Sequence, residues 1–307
     1  MALKDRVTTT GYKSGWRIVK AMPTPVARTM FNNAADWAFL RQGKGTKRLE
    51  SNLRRVLGPY TTEMEVRRVV RAALRSYSRY WMESFRLPSM SARDVVAGVH
   101  THGEDLFREM LAAGNGLICA LPHMANWDTA GAWAVLTGVN FTTVAERLEP
   151  ADLFDQFVDY RESLGMEVLA LSGGERAPFE VLAERLSQGR MLALLADRDL
   201  TEAGVEVDFF GAATKMPAGP ALLAVRTGAP LMPVTLSYDD GGEIGLHIHF
   251  GELVDNPRTG DEAKDISVMT QAVADAFAEG IRRAPQDWHM LQRLWLDDLE
   301  PRSSERQ

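Results

Sequence analysis

The second two-thirds of the chain alternates short apolar runs with stretches of helical periodicity. The apolar runs predict strands at Leu117–Leu121, Phe141–Ala145, Glu167–Leu169, Met191–Leu195, Val205–Phe209, Leu231–Tyr238 and Leu246–Phe250. The other stretches predict helices at Trp127–Leu136, Ala151–Leu164, Ala177–Ser187, Gly219–Thr227 and Glu262–Arg283. Apolar strands alternating with helices are typical of an α/β fold. We therefore expect a mostly parallel central sheet flanked by helices.

The first 112 residues have a different pattern, because their apolar residues recur every three or four positions. After a first helix, this pattern predicts helices at Pro25–Leu40, about Gly45–Val56, Glu63–Phe85 and Gly103–Ala112. The first helix carries an apolar stripe beside a basic one, formed by Tyr12, Trp16 and Val19 and by Lys13, Arg17 and Lys20. Such a helix suits an anionic membrane surface, or else a protein core with a solvated basic edge.

The charge distribution separates the same two regions. Residues 1–80 hold 17 Lys and Arg against 5 Asp and Glu, whereas the whole chain has a net charge of −6. The acidic remainder argues against a nucleic-acid partner. Without a composition break or linker, we expect a single domain over 1–307, with a mainly helical basic region at 1–112, an α/β core at 113–295 and a tail at 296–307.

The cysteine content and the lengths of the apolar segments indicate the cellular compartment of the protein. The single cysteine, Cys119, lies in an apolar strand and excludes an intramolecular disulfide, as in a reducing compartment. We interpret it as a small buried hydrophobe. The N-terminus has no apolar core of a signal peptide. The longest uncharged stretch, Met110–Trp127, is interrupted by Gly, Asn and Pro residues, so we expect no segment that spans a bilayer. We expect a cytosolic protein, or one bound to the cytosolic face of a membrane.

The stretch PHMANWD contains two candidate catalytic residues just after the first core strand. His123 and Asp128 are too far apart to touch on one helix, but they can meet if His123 precedes a helix capped by Asn126. A carboxylate on one imidazole nitrogen fixes the tautomer and makes the other nitrogen a general base for an alcohol. The alternative is a capped helix start beside an ordinary buried histidine.

Further polar residues follow the other predicted strands. Glu146 and Arg161 suit sugar hydroxyls and phosphate, or form solvated pairs at helix ends. Asp197 and Arg198 lie past a strand, in the same crevice as His123 or at a solvated strand end.

The loop FFGAATKMPAG, with Gly211, Lys215 and Gly219, suits an anion at a helix start, or is a simple turn. His247 and His249 lack a third metal ligand, so we expect no metal site.

Nine stretches in order, among them GYKSGWRIVKAMP, PHMANWD, TTVAERLEP, YRESLGMEVL, ADRDLT and DWHMLQ, resemble the lipid A biosynthesis acyltransferase superfamily. The similarity covers about residues 11–295. Within the superfamily, the stretches are most similar to the actinobacterial branch that acylates phosphatidylinositol mannosides. The chain departs from the expected pattern at Asp197, where glutamate is usual, and at Met124 and Ala125, where Ser-Gly is common.

The resemblance implies an enzyme that transfers a long, palmitoyl-like acyl chain from acyl-CoA to a mannose primary hydroxyl of mannosylated phosphatidylinositol. It implies His123 as general base with Asp128 as its partner, and substrate contacts from Glu146, Arg161, Asp197, Arg198, Gly211, Lys215 and Gly219. We expect no cofactor beyond the acyl-CoA co-substrate, and peripheral binding at the cytoplasmic face of the cell membrane. Alternatives are another acceptor such as a lipid A-like glycolipid, an acyl-CoA hydrolase, and a non-catalytic lipid-binding protein.

Overall fold

The computed structural model describes residues 19–145, 158–170, 177–199, 203–239 and 244–299. The helices are α1 (Thr24–Arg41), α2 (Lys44–Leu57), α3 (Glu63–Arg86), α4 (Ala92–Ala97), α5 (Glu104–Ala112), α6 (Trp127–Leu136), α7 (Pro178–Ser187), α8 (Gly219–Thr227), α9 (Glu262–Arg283) and α10 (Leu296–Leu299), and residues 158–163 are also helical. The strands are β1 (Val99–His102), β2 (Leu117–Leu121), β3 (Phe141–Ala145), β4 (Glu167–Ala170), β5 (Met191–Leu195), β6 (Val205–Phe209), β7 (Ala212–Met216), β8 (Leu231–Tyr238) and β9 (Leu246–Phe250).

Seven strands form one mixed sheet in the order β1-β9-β8-β2-β5-β3-β4. Strands β8, β2, β5, β3 and β4 are parallel to one another, whereas β9 is antiparallel to β8 and β1 is parallel to β9. Strand β2 lies at the centre, and all five of its residues are buried. This burial explains its unbroken apolar sequence, because helices cover both faces of the sheet.

Local sequence fixes where the helices that frame the site begin. Helix α3 starts with a capping box, in which the Thr62 hydroxyl accepts from the Glu65 backbone N–H and the Glu65 carboxylate accepts from the Thr62 N–H. Helix α6 starts at Asn126, whose side-chain oxygen accepts from the Thr129 N–H at 3.0 Å. The predicted cap at Asn126 is therefore confirmed.

The predicted fold class is confirmed, and six of the seven predicted strands have the observed first and last residues; the seventh, Glu167–Leu169, extends to Ala170. Two strands were missed, β1 and β7. Strand β7 forms a hairpin with β6, closed by Phe210 and Gly211 at φ 55° and 74°. Positive φ at both central residues is the signature of a tight hairpin turn. The expectation that the FFGAATKMPAG stretch is a loop up to the helix start is therefore wrong.

Some expectations fall on residues outside the described ranges. These are nearly all of the first predicted helix, the candidate Glu146, and residues 151–157 of the predicted helix Ala151–Leu164. Within the described ranges, none of the helices combines the length and the apolar content that crossing a membrane requires.

Candidate active site

The register of two central strands brings a histidine and an aspartate together. Strands β2 and β5 are parallel neighbours, and Leu121 pairs with Leu195 at their carboxyl ends. His123 and Asp197 each lie two residues beyond that pair, so they occupy equivalent positions on adjacent strands. The His123 Nδ1 lies 2.5 Å from Asp197 Oδ1. The carboxyl edge of the sheet thus presents a histidine–aspartate dyad, at the edge where open α/β sheets bind ligands.

Three N–H groups hold the Asp197 carboxylate, which is fully buried. Besides the imidazole, the His123 backbone N–H and the Trp288 indole N–H each donate to Oδ2 at 2.9 Å. Burial alone would raise the pKa of Asp197, but the electrostatic interaction with the His123 imidazole and these hydrogen bonds outweigh it and lower the pKa. The carboxylate therefore stays ionised and fixes a proton on Nδ1 of His123, which leaves Nε2 with its lone pair.

The predicted pairing of His123 with Asp128 is wrong. Asp128 is buried in the first turn of α6 and accepts from Arg161 Nε at 2.7 Å and from the Tyr80 hydroxyl at 3.2 Å. These donors come from residues 158–163 and from α3, so Asp128 joins three helical segments. The shorter aspartate in place of the usual glutamate still reaches the imidazole directly.

The segment at residues 285–290 clamps the loop that carries His123. Met124 and Trp288 form an antiparallel bridge, the Ala125 N–H donates to the Asp287 carbonyl, and the His289 N–H donates to the His123 carbonyl. Ala125 adopts φ +44° in this loop, a left-handed conformation that glycine enters without steric cost. The clamp holds that backbone conformation and directs Trp288 onto Asp197.

His289 is neutral, and its tautomer follows from its neighbours. The Ser76 hydroxyl donates to Asp287 Oδ1 at 2.7 Å and lies 2.9 Å from His289 Nε2. Since its one proton is committed to Asp287, Ser76 accepts from Nε2–H, and Nδ1 carries the lone pair. Burial lowers the pKa of His289 to about 3 and raises that of Asp287 to about 6. Both side chains contact Ser76 and so attach the clamp to α3.

A crevice of about 290 Å³ opens beside His123. Its lining includes His123, Arg161, Arg198 and His289, together with the aromatic residues Tyr77, Tyr80, Trp81 and Trp127. A narrow apolar cavity continues from it between the sheet and α6, and the two share Trp127, Val144, Arg161 and Leu195. The cavity ends at Phe107, Phe250 and Trp133, where the rings of Phe107 and Phe250 stack at 4.2 Å.

The structure brings together only part of the predicted site. Arg161 and Arg198 line the crevice beside His123, and their contact with substrate stays a prediction. Among the described residues, Gly211, Lys215 and Gly219 do not line it. Gly211 closes the β6–β7 hairpin and Lys215 lies on β7, because Ala212–Met216 is a strand.

Sequence reasoning missed Asp197 as the imidazole partner, Trp288 as its donor and Tyr80 as the donor to Asp128. The string DWHM, with two aromatic residues beside a charge near the C-terminus, was a signal for Trp288. No comparable sequence feature indicated the role of the β6–β7 hairpin. Phe209 packs edge-on to Trp288, with ring centroids 6.0 Å apart. The hairpin therefore supports the dyad.

Cys119 and the four sheet-edge histidines do not belong to the dyad. Cys119 is buried in β2, and burial raises the pKa of its thiol to about 12, which suits the expected hydrophobic role. His100 and His102 on β1 face His247 and His249 on β9. Within the described ranges, no group of three or more His, Cys, Asp or Glu side chains has the arrangement of a metal site.

Residues 5–297 match the family model described as bacterial lipid A biosynthesis acyltransferase. The chain belongs to this family. Membership makes it an acyltransferase, and it gives the dyad, the crevice and the apolar cavity a common chemical context.

Within the family, the chain is similar to the phosphatidylinositol mannoside acyltransferase of Mycolicibacterium smegmatis. The two are 48% identical over 297 residues, which cover 97% of this chain and 94% of the relative. It is also similar to the protein of that name from Mycobacterium tuberculosis strain H37Rv, with 48% identity over 290 residues, 94% of this chain and 88% of the relative.

Proposed function

We propose that this acyltransferase moves a long acyl chain from acyl-CoA to a mannose hydroxyl of a phosphatidylinositol mannoside, with His123 as general base and Asp197 as its partner. The observation that carries the proposal is the meeting, beside His123, of an apolar cavity and a crevice lined by charged and aromatic side chains. An acyl group needs the first environment, whereas a sugar and coenzyme A need the second.

The reaction needs no covalent enzyme intermediate. His123 Nε2 takes the proton of the sugar hydroxyl while that oxygen attacks the thioester carbon. The tetrahedral intermediate collapses by breaking the carbon–sulfur bond, and the leaving thiolate takes the proton from His123. The products are the ester and coenzyme A, with no net proton released. Asp197 stabilises the transient imidazolium and keeps the ring in the correct tautomer.

The cavity supports a fatty acyl donor because its lining is apolar and reaches deep under the sheet. Residues two apart on one strand face the same side, and the cavity is lined by such rows on three strands: Leu195, Ala193 and Met191 on β5, Leu121 and Cys119 on β2, and Thr143 and Phe141 on β3. An acyl chain entering at Leu195 would run down these rows and leave the thioester near His123.

The crevice supports a charged sugar lipid as acceptor. Arg161 and Arg198 supply positive charge for phosphate, and aromatic rings supply flat faces for sugar rings. The acceptor class itself comes from the relatives, which are named for phosphatidylinositol mannoside. A lipid A-like acceptor remains the alternative within the family.

Helix α1 supports peripheral binding to the cytoplasmic face of an anionic membrane. Val26, Met30, Trp37 and Leu40 are all exposed, Leu40 at 76%, and their spacing of four, seven and three places them on one side of the helix. We call them the α1 stripe. Basic residues Arg41, Lys44, Lys47 and Arg48 follow, all of them exposed. An apolar stripe beside basic residues suits the headgroup region of an anionic bilayer.

The test measures coenzyme A release from palmitoyl-CoA by the purified protein, with and without mannosylated phosphatidylinositol. We expect release to require the mannolipid and to fall by about 10²–10⁴-fold in His123→Ala. His100→Ala, which changes an exposed histidine outside the crevice, is the matched control. Release without the acceptor would favour a hydrolase. Transfer to lipid A precursors instead would move the acceptor to that class.

A further inference from the structure

The indole N–H of Trp127 is a buried donor that the fold leaves unused. Among the described residues, Trp127 Nε1 has no hydrogen-bond partner, although it is covered from solvent. Buried tryptophan N–H groups normally find an acceptor, because leaving a buried donor unpaired is energetically costly. The indoles of Trp288 and Trp295 follow this rule, donating to Asp197 and Asn52. The unpaired indole N–H of Trp127 is therefore suited to donate a hydrogen bond to a ligand.

The position of Trp127 shows which atom could accept it. The residue is one of the few that line both the apolar cavity and the crevice. Its ring meets the His123 imidazole edge-on, with centroids 5.5 Å apart. In the proposed reaction, the thioester carbonyl lies where the acyl chain leaves the cavity and faces the general base. An acceptor oxygen is thus expected beside this indole.

The indole is also held rigidly, as a preorganised donor must be. Tyr80 stacks on its face at 4.3 Å, and the Tyr80 hydroxyl is tied to Asp128 at 3.2 Å. Trp127 is the first residue of α6, directly after the cap Asn126. Arg161 also lies at the junction, but it already donates to Asp128.

We propose that the Trp127 indole N–H donates to the thioester carbonyl oxygen of the bound acyl donor and stabilises the oxyanion of the tetrahedral intermediate. As the sugar oxygen attacks, the carbonyl π electrons move to that oxygen, and its hydrogen bond to Nε1 strengthens. When the carbon–sulfur bond breaks, the carbonyl re-forms and the bond weakens. A donor that favours the charged state over the ground state accelerates the reaction. This inference rests on the proposed acyl-CoA-dependent function.

The main test is Trp127→Phe, which keeps an aromatic ring against Tyr80 and removes the N–H. We expect kcat to fall by about 10²–10³-fold, with the KM for palmitoyl-CoA changed less than about threefold, because the bond matters most in the transition state. The melting temperature should fall less than in Trp295→Phe, since no protein hydrogen bond among the described residues is lost.

Trp295→Phe is the matched control, because it removes an indole N–H that has a protein acceptor. We expect it to lower the melting temperature and to leave kcat unchanged per folded molecule. If Trp127→Phe behaves like this control, or keeps wild-type kcat, the inference is overturned and the oxyanion donor is Arg161 or a backbone amide.

A binding measurement tests the carbonyl contact without turnover. The wild type should bind a palmitoyl-CoA analogue whose thioester is replaced by a methylene ketone more tightly than the hexadecyl thioether of coenzyme A. In Trp127→Phe that preference should disappear, while thioether affinity is retained. An unchanged preference contradicts the inference. If the wild type neither turns over palmitoyl-CoA nor binds either analogue, it is the proposed function that fails.

Discussion

At the residue scale, the site depends on which acidic side chain reaches the imidazole. Asp197 contacts His123 through both the ring and the backbone, whereas Asp128 serves Arg161 and Tyr80. Both aspartates are buried, but they have different roles. In the proposed mechanism Asp197 holds the imidazole tautomer for proton transfer, whereas Asp128 is paired with the buried guanidinium of Arg161. Exchanging either carboxylate for an amide or a methyl group should separate these roles.

We predict that Asp197→Asn lowers kcat by about 10²–10⁴-fold, because an amide neither fixes the Nδ1 proton nor stabilises the imidazolium. The measurement is kcat for mannolipid acylation, compared with His123→Ala. Asp197→Glu, which keeps the charge, is the control and should retain more activity than the amide. Wild-type kcat in Asp197→Asn, with a loss confined to Asp197→Glu, would mean that the side chain acts only through its size.

We predict that Asp128→Ala acts first on stability. It leaves the Arg161 guanidinium, whose side chain is 16% exposed, without its carboxylate. Breaking a buried pair in this way costs about 3–5 kcal/mol. Chemical denaturation of the variant and of Asp197→Asn measures the difference. An unchanged free energy of unfolding in Asp128→Ala, with kcat abolished, would return Asp128 to a direct catalytic role.

At the element scale, His247 and His249 are two residues apart on β9 and therefore lie on the same face of the sheet, near its edge. His249 lies beside His102 and His247, with His249 and His102 stacked at 4.4 Å. Burial, then the neighbouring His102, Arg283 and His247, lowers the pKa of His249 to about 4. The folded protein therefore binds fewer protons at this site than the unfolded chain between about pH 6.5 and 4.

From this shift we predict that the stabilising contribution of a neutral His249 is fully present above about pH 6.5 and is lost as the pH falls toward about 4. His249→Asn should therefore lose less melting temperature than the wild type between pH 7.5 and 5. Comparing the two proteins cancels other titrating groups, including Asp287. Ser237→Ala, which removes the hydroxyl that lies 3.2 Å from His249 Nε2 but keeps the imidazole, is the control. It should change the melting temperature at pH 7.5 and at pH 5 by the same amount. Parallel wild-type and His249→Asn curves would contradict the prediction.

Helix α1 is the element that we expect to meet the membrane. We predict that the double substitution Trp37→Glu and Leu40→Glu lowers binding to vesicles containing anionic phospholipid by at least tenfold, because it places charges in the apolar stripe. Vesicle co-sedimentation measures the loss. Met64→Glu, at a 78% exposed residue of α3, is the control. Undiminished binding by the α1 variant would assign the membrane contact to another surface.

At the scale of the whole molecule, the sheet and α6 enclose a cavity whose depth is set by strand rows. Ala193 on β5 pairs with Cys119 on one side and Thr143 on the other, and all three line the cavity one row below Leu195. Rows two residues apart are about 7 Å apart along a strand. A larger residue at Ala193 should therefore close the cavity about 7 Å below its mouth.

We predict that Ala193→Leu shifts the donor preference from palmitoyl-CoA toward shorter acyl-CoA thioesters. The measurement is kcat/KM across a series of chain lengths, and the shift should appear as a change in the optimum. Ala183→Leu on α7, which is not among the residues that line the cavity, is the control and should keep the wild-type optimum. An unchanged optimum in Ala193→Leu would place the acyl chain elsewhere.

The sequence by itself determined most of the local structure. Apolar runs and helical periods located β2, β3, β5 and β8 and the helices from α1 to α9 except the short α4, because burial on both faces of a sheet requires continuous apolar residues. Asn126 was recognisable as a cap, since only a few side chains can satisfy the free N–H groups of a helix start. Strands β1 and β7 were missed because HTH and AATKM carry little apolar signal.

Only the tertiary structure decided which residues meet. Asp128 is five residues from His123 and was the natural partner in sequence, yet Asp197 is the one in contact. That outcome depends on β5 being the neighbour of β2, and strand order is fixed by helix packing across the whole sheet, which no local pattern encodes. Trp288 and the clamp at 285–290 reach the dyad from the far end of the chain for the same reason. The chain supplied the chemical groups, and the packing of the sheet decided which of them became partners.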